Sequence, residues 1–301
     1  MLESNIPVVD LRELRSGDSS EAAVQRLGDG LSSLGFVAIV GHPIDGPFLE
    51  RLYAAAAAVF ALPNAVKRGY ERPSLGRQRG FTPFGTEKAK DQSVSDLKEF
   101  WQLGRDPSGP DVPGNVFPTE VPEFGPLFND YFARSEAVAL ELLDAIERYL
   151  GLAAGFFRAM VRGGNSVARV LHYPDVPGGR QPGAVRAAAH EDINLITLLP
   201  ASTKPGLELL TRDGQWMATV VPPNVLIVDT GDMMQHLTAG RLRSTTHRVV
   251  NPAVSDGGRY SLPVFVHPHP DAILAPFDPA YGPAIRADDM LSQRLREIGV
   301  A

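Results

Sequence analysis

The residues of this chain best suited to chemistry are His190-Glu191-Asp192 and, further along, His247. Two imidazoles and one carboxylate form the ligand set of a mononuclear non-haem Fe(II) site. They occupy one triangular face of an octahedron and leave the other positions open for a cosubstrate and O₂. Residues 188–199 are rich in Ile, Leu and Thr and end at Pro200, the pattern of a strand. Strand side chains alternate between faces, so His190 and Asp192 are expected to point one way and Glu191 the other. The third ligand must come from elsewhere in the fold. His247 lies in a second β-branched run that stops at Asn251-Pro252. A bare His-x-Asp is usually a hydrogen-bonded structural pair, so its surroundings must decide.

Twelve positions after His247 comes Arg259-Tyr260-Ser261. Alternation places Arg259 and Ser261 on one face, where a guanidinium and a hydroxyl can converge on a single carboxylate. The planar fork of Arg suits that task because it makes paired, charge-assisted hydrogen bonds. Tyr173, at the end of a run over 167–173, can add a phenolic donor. In isolation Arg259 would read as a surface residue and Ser261 as strand filling.

Positioning these groups calls for a β-rich core. Short runs at 167–173, 188–199, 207–210, 216–220, 225–230, 247–251 and 261–266 are separated by turn residues, with Arg212-Asp213-Gly214-Gln215 as a hairpin connection. The pattern predicts a mainly β protein with flanking helices, its core a double-stranded β-helix (jelly roll) with the metal in the barrel mouth. Helical periodicity over 20–34, 47–60 and 124–149 makes residues 1–160 a helical N-terminal region packing on the core. The core spans 161–270, and 271–301 form a tail with a short helix, all in one structural unit. Residues 72–118, rich in Gly, Pro and charge, read as long loops. Phe265 shares the face of Ser261 and is expected to border the substrate space. Phe81 and Phe84, in the loop region, are further candidates.

Composition narrows the partners. With 301 residues, 44% of them hydrophobic, the chain can bury a full core. A net charge of -6, with 29 basic residues scattered, gives no basic stripe for nucleic acid. The absence of cysteine excludes disulfides and thiolate metal sites. No signal peptide or run of about 18 apolar residues appears, so a cytoplasmic protein without membrane contact is expected. His236 and Asp232 read as turn residues, and His267 and His269 as loop histidines unconnected with metal. Arg248 should face away from the metal and pair with an acid.

These motifs occur in an order that resembles the isopenicillin N synthase-like branch of the Fe(II)/2-oxoglutarate-dependent dioxygenases. Ile6-Pro7-Val8-Val9-Asp10-Leu11 is similar to that family's opening strand, and residues 34–42 to its Gly-Phe-strand-Gly-His segment. Phe60-Ala61-Leu62-Pro63 with Lys67, Arg79-Gly80-Phe81, Gly85 with Glu87, and Asp96-Leu97-Lys98-Glu99 follow in family order. Leu171-His172-Tyr173-Pro174, the His-x-Asp, Gly231-Asp232, Leu237-Thr238-Ala239-Gly240-Arg241, His247-Arg248-Val249 and Arg-x-Ser complete it. The resemblance implies His190, Asp192 and His247 as iron ligands, with Arg259, Ser261 and Tyr173 holding the distal carboxylate of 2-oxoglutarate. Leu171 departs from the Asn common in relatives, and Ala239 from another Asn.

The resemblance further implies an enzyme that uses Fe(II), 2-oxoglutarate and O₂. Such an enzyme hydroxylates, desaturates or cyclises a small molecule (an amino acid, peptide or secondary metabolite) and releases succinate and CO₂. Two other readings stand beside it. One is a 2-oxoglutarate-independent Fe(II) oxidase of the isopenicillin N synthase type, in which Arg and Ser hold a different carboxylate. The other is a non-enzymatic binding protein on the same scaffold, against which the intact triad speaks.

Overall fold

Strands with apolar residues on both faces need cover on both faces, and here it comes from two directions. The computed structural model describes residues 6–15, 20–87, 95–105, 114–175, 184–254 and 257–297. It shows a double-stranded β-helix: a nine-stranded and a four-stranded sheet face each other, and helices cover the outer face of the larger.

In chain order, β1 (Val8–Asp10), α1 (Leu11–Arg15), α2 (Ser20–Ser33), β2 (Phe36–Val40), α3 (Gly46–Phe60) and α4 (Asn64–Arg68) come first. β3 (Gly80–Thr82), β4 (Glu99–Gly104), α5 (Phe124–Leu150), α6 (Phe156–Val161) and β5 (Val167–Tyr173) follow. Next are β6 (Ala187–His190), β7 (Ile196–Pro200), β8 (Leu207–Leu210), β9 (Trp216–Ala218), β10 (Leu226–Thr230) and α7 (Asp232–Leu237). β11 (His247–Val249), β12 (Arg259–Ser261) and β13 (Val264–Val266) precede a small ribbon and α8 (Ala287–Glu297). The larger sheet runs β1-β2-β10-β7-β13-β5-β4-β3, with β12 also paired to β5; the smaller runs β6-β11-β8-β9.

Period-two alternation sorts the side chains. Along β2, Phe36 and Ala38 face inward and meet Leu207 and Leu209 of the smaller sheet, while Val37 and Ile39 join the outer core with Leu27, Leu52, Phe128 and Leu142. Along β5, Leu171 and Tyr173 face inward with Phe100, Ala187 and Val249, while Ala168 and Val170 face the helices. The outer face also holds a buried ionic group. Lys67 Nζ lies 2.8 Å from Glu99 Oε2, and His172 Nδ1 lies 2.8 Å from Glu99 Oε1. The His172 ring stacks on Tyr260 at 4.6 Å.

Three expectations change. Residues 72–118 hold β3 and β4 in place of a continuous loop. β4 is buried throughout, Phe100 inward and Trp101 outward, so no polar alternation marks it in sequence. The region to residue 160, read as helical after its opening strand, gives four strands to the larger sheet. Residues 259–266 are two strands, since Pro263 lacks an N–H and its carbonyl instead accepts from Arg169 N at 2.9 Å. Among the described residues no helix is long and apolar enough to cross a membrane.

Trp101 joins sheet to helices: its indole packs on Tyr70, Phe81 and Phe124 and donates to Val116 O at 2.7 Å. Trp101→Ala should therefore cost about 3–5 kcal/mol in urea unfolding. Val254→Ala, at a position 77% exposed, should stay within about 0.5 kcal/mol.

Candidate metal centre

The segment expected as one strand over 188–199 is two. β6 ends at His190 in the smaller sheet, β7 begins at Ile196 in the larger, and residues 191–195 cross between them. Asp192 is thus aimed by the crossover and not by the pleat. Backbone hydrogen bonds hold this crossover: Asp232 N to Asp192 O at 2.7 Å, Gly231 N to Leu195 O at 3.1 Å and Leu195 N to Val266 O at 3.0 Å. Gly231 fits because a Cβ there would lie 2.4 Å from Asn194 O and 2.8 Å from Asp192 O.

β11 lies beside β6 with His247 in register with His190, so the two imidazoles are cross-strand neighbours, ring centroids 4.4 Å apart. Asp192 Oδ1 lies 3.8 Å from Nε2 of each. One donor atom from each of His190, Asp192 and His247 falls within 4.8 Å of the others. His190 Nδ1 lies 2.7 Å from Ala188 O, and His247 Nδ1 lies 3.1 Å from Thr245 O. A carbonyl can only accept, so each Nδ1 carries the proton and each Nε2 keeps its lone pair free for a cation. Thr197 donates to Asp192 Oδ2 and in turn accepts from Asn194 Nδ2 at 2.9 Å. Burial, then the neighbouring His247, pulls the His190 pKa down to about 4 against the attraction of Asp192. The imidazole is therefore neutral, the form that binds metal. Glu191 leaves this group and accepts from the Thr246 hydroxyl at the surface.

A second polar group lies on the inner face nearby. Arg259 stands opposite Tyr173, and Ser261 opposite Leu171, in the β12–β5 register. Arg259 is buried, its Nε donates to Lys204 O at 3.0 Å, and its guanidinium carbon lies 5.1 Å from the Tyr173 ring centroid. Its Nη1 is buried with no hydrogen-bond partner. A buried cation with an idle donor, beside a buried hydroxyl and a phenol, fits an anionic group from outside the chain.

The inner face also places Phe265 opposite Thr197, next to the Asp192 carboxylate. Phe81 is set apart, buried on the helical side against Trp101 with Lys67 Nζ 5.3 Å from its ring, and Phe84 is exposed on a turn. Asp232 pairs with Arg294 at 2.7 Å, His236 lies 3.1 Å from Pro283 O, and Arg248 pairs with Glu208 at 2.7 Å. His267 departs from its reading as an exposed loop residue. Burial holds its pKa down to about 4, and its ring interacts electrostatically with Asp192 and Arg169. Sequence reasoning also passes over Thr197 and Arg169. The parity that places Phe265 inward places both of them there too.

Comparisons with known proteins agree with this geometry. A family model described as the 2OG-Fe(II) oxygenase superfamily matches residues 164–268, and one described as the non-haem dioxygenase in morphine synthesis N-terminal matches 6–124. The proline hydroxylase buaE of Petromyces alliaceus is 34% identical over 266 residues, covering 83% of each chain. A crystal structure of a 2OG-Fe(II) oxygenase family protein from Caulobacter crescentus superposes with a TM-score of 0.86 at 37% identity, over 98% of this chain and 99% of that one. A full-length Neurospora crassa protein, solved in complex with alpha-KG and thymine, gives a TM-score of 0.85 at 26% identity, over 97% of this chain and 96% of that one.

The low pKa values of His190 and His267 set a pH dependence. In the unfolded chain both ionise near 6.5, in the native chain near 4. Between those values the unfolded chain binds more protons, so their contribution is least destabilising above pH 6.5 and stability falls as pH drops toward 4. Urea midpoints of the metal-free protein should decline across that window. His267→Gln should make the decline shallower by about one proton's worth of slope.

Proposed function

The chain belongs to the 2OG-Fe(II) oxygenase superfamily and is an Fe(II)- and 2-oxoglutarate-dependent oxygenase; from that premise we propose which of its residues carry the reaction. His190, Asp192 and His247 hold the iron, and Arg259, Ser261 and Tyr173 hold the distal carboxylate of 2-oxoglutarate. The observation that carries this reading is the convergence of three donor atoms within 4.8 Å between the two sheets, with the idle, buried Nη1 of Arg259 on the inner face of the larger one. The chain then acts on a small molecule bound in the barrel mouth, with an amino acid, a peptide or a secondary metabolite as the candidate classes.

When bound, Fe(II) and 2-oxoglutarate supply the oxidising power: O₂ is consumed, one oxygen atom enters the substrate C–H bond, the other enters succinate, and CO₂ leaves. The protein's part is positional. Ala188 and Thr245 carbonyls fix the tautomer and tilt of the two imidazoles, so their lone pairs already point at the cation. Thr197 occupies the outer oxygen of Asp192 and leaves the other for the metal. The Lys204 carbonyl turns the Arg259 fork, and Tyr173 flanks it, so the cosubstrate's far end meets donors already in place. Apolar Leu171, Phe100 and Val249 between the sheets keep water from the space beside them. Leu171 stands where relatives commonly have Asn, so this chain fills that position with packing.

Two measurements test the assignments. His190→Ala, Asp192→Ala or His247→Ala should each leave less than about a tenth of the wild-type iron after dialysis, read by atomic emission, because two protein ligands remain. Glu191→Ala should keep its iron; equal loss there would sink the assignment. Arg259→Ala should weaken 2-oxoglutarate binding at least about tenfold in anaerobic calorimetry, with Arg259→Lys recovering only part and iron content unchanged in both. Failure of the wild-type, Fe(II)-loaded protein to bind 2-oxoglutarate would remove the cosubstrate role from Arg259.

A further inference from the structure

The inner face of β5 reads Tyr173, Leu171, Arg169 from the cosubstrate end outward. Arg169 therefore stands about 13 Å along the strand from Tyr173, past the cosubstrate position. The register around it fixes its neighbours. Gln102 lies opposite on β4, and Phe265, on the adjoining strand β13, lies opposite Thr197, the partner of Asp192. Arg169 is thus part of the wall beside the metal.

Its guanidinium is held on three sides. Nε donates to Gln102 Oε1 at 2.8 Å, and Gln102 is itself turned by donating to Gln78 O at 3.0 Å. Nη1 donates to Glu87 Oε2 at 3.0 Å. The guanidinium carbon lies 4.5 Å from the Phe100 ring centroid and 5.7 Å from that of Phe265. Among the described residues Nη2 has no hydrogen-bond partner, and the side chain keeps 23% of its exposure. His267 adds a buried Nδ1 without a partner and interacts electrostatically with both Arg169 and Asp192. Arg169 thus keeps one in-plane donor edge unbonded on the inner face of β5.

The charge around that edge is already balanced. Glu87 also faces Lys98 Nζ at 3.4 Å, and Lys98 reaches Asp96 at 2.8 Å, giving two cations and two anions. Asp96 in turn accepts from Ala188 N at 3.1 Å, joining this group to the strand that carries His190. Although burial opposes it, Arg169 and Lys98 hold the Glu87 carboxylate ionised below the usual range. An incoming carboxylate at Nη2 would meet the Arg169 charge with Glu87 already beside it. A neutral carbonyl oxygen gains the charge-assisted hydrogen bond without that repulsion.

We propose that Arg169 is the substrate-anchoring residue and that, together with Glu87, it selects a small molecule presenting a neutral, amide-like carbonyl over one presenting a carboxylate. The inference rests on the oxygenase reading above only in taking the space beside the metal as the substrate's. Gln102 and Glu87, bonded to Nε and Nη1, fix the orientation of the guanidinium that the carbonyl meets.

Benzamide and benzoate are matched probes, used with the Zn(II)-loaded, 2-oxoglutarate-saturated protein and read by ligand-observed NMR. Wild type should bind benzamide at least about threefold more tightly than benzoate. Glu87→Gln should move the ratio toward benzoate by about tenfold, and Arg169→Leu should weaken benzamide by at least about tenfold with Arg169→Lys in between. Glu87→Gln and Arg169→Leu each break a largely buried pair and should lower the thermal midpoint, so the probes are read well below each variant's midpoint, and an unchanged 2-oxoglutarate affinity separates lost anchoring from lost folding. A wild-type preference for benzoate, no binding of either probe, or a ratio indifferent to Glu87→Gln overturns the proposal. If the wild type fails to bind 2-oxoglutarate, the cosubstrate reading falls instead, and the probe ratio is then read on the Zn(II) form alone.

Discussion

The centre depends on the crossing of residues 191–195 from one sheet to the other. A chain that leaves a sheet must give its backbone polar groups new partners, and here the start of α7 and the end of β13 provide them. Asp192 is buried within this crossing, so its carboxylate is aimed by backbone bonds on both sides and by Thr197. The two histidines need less support, since β6 and β11 are paired and bring them together by register. The three candidate ligands thus combine a rigid cross-strand pair with one residue whose direction depends on how closely the sheets are joined.

The inner face of the larger sheet organises the other polar groups near this triad. Tyr173, Leu171 and Arg169 share one parity on β5, and Arg259 and Ser261 share it on β12. The positions proposed for cosubstrate and substrate are successive stretches of one strand's face. Hence a single set of pairings places both groups, and Leu171, Phe100, Ala187 and Val249 supply the apolar packing between the sheets beside them.

Much of this is legible in residue order. His190, Asp192 and His247 follow from ligand chemistry, and Arg259 with Ser261 from strand parity. Alternation points to the side chains that the structure brings together, but for an incomplete reason, because a run of Ile, Leu and Thr does not show where a strand breaks. Ile193-Asn194-Leu195 is as apolar as the strands around it, and only pairing partners divide it. β4 is hidden because both its faces are buried, which removes the polar half of the pattern. Glu87 and Lys98 read as charges in a loop, since nothing local says that Arg169, far along the chain, stands beneath them. Long-range contacts of this kind are what a single sequence conceals.

The outer face carries a different message. Lys67, Glu99 and His172 place charge where the helical layer meets the sheet, behind the strands that hold Tyr173 and Arg259. A buried pair of this kind adds little net stability compared with apolar packing of the same volume, but losing one member leaves the other stranded at a cost of about 3–5 kcal/mol. These positions are therefore not free to drift one at a time. Lys67 and Glu99 can be exchanged only together, and chains that fill them differently should do so in concert, so a change at one site reveals what must stand at the other.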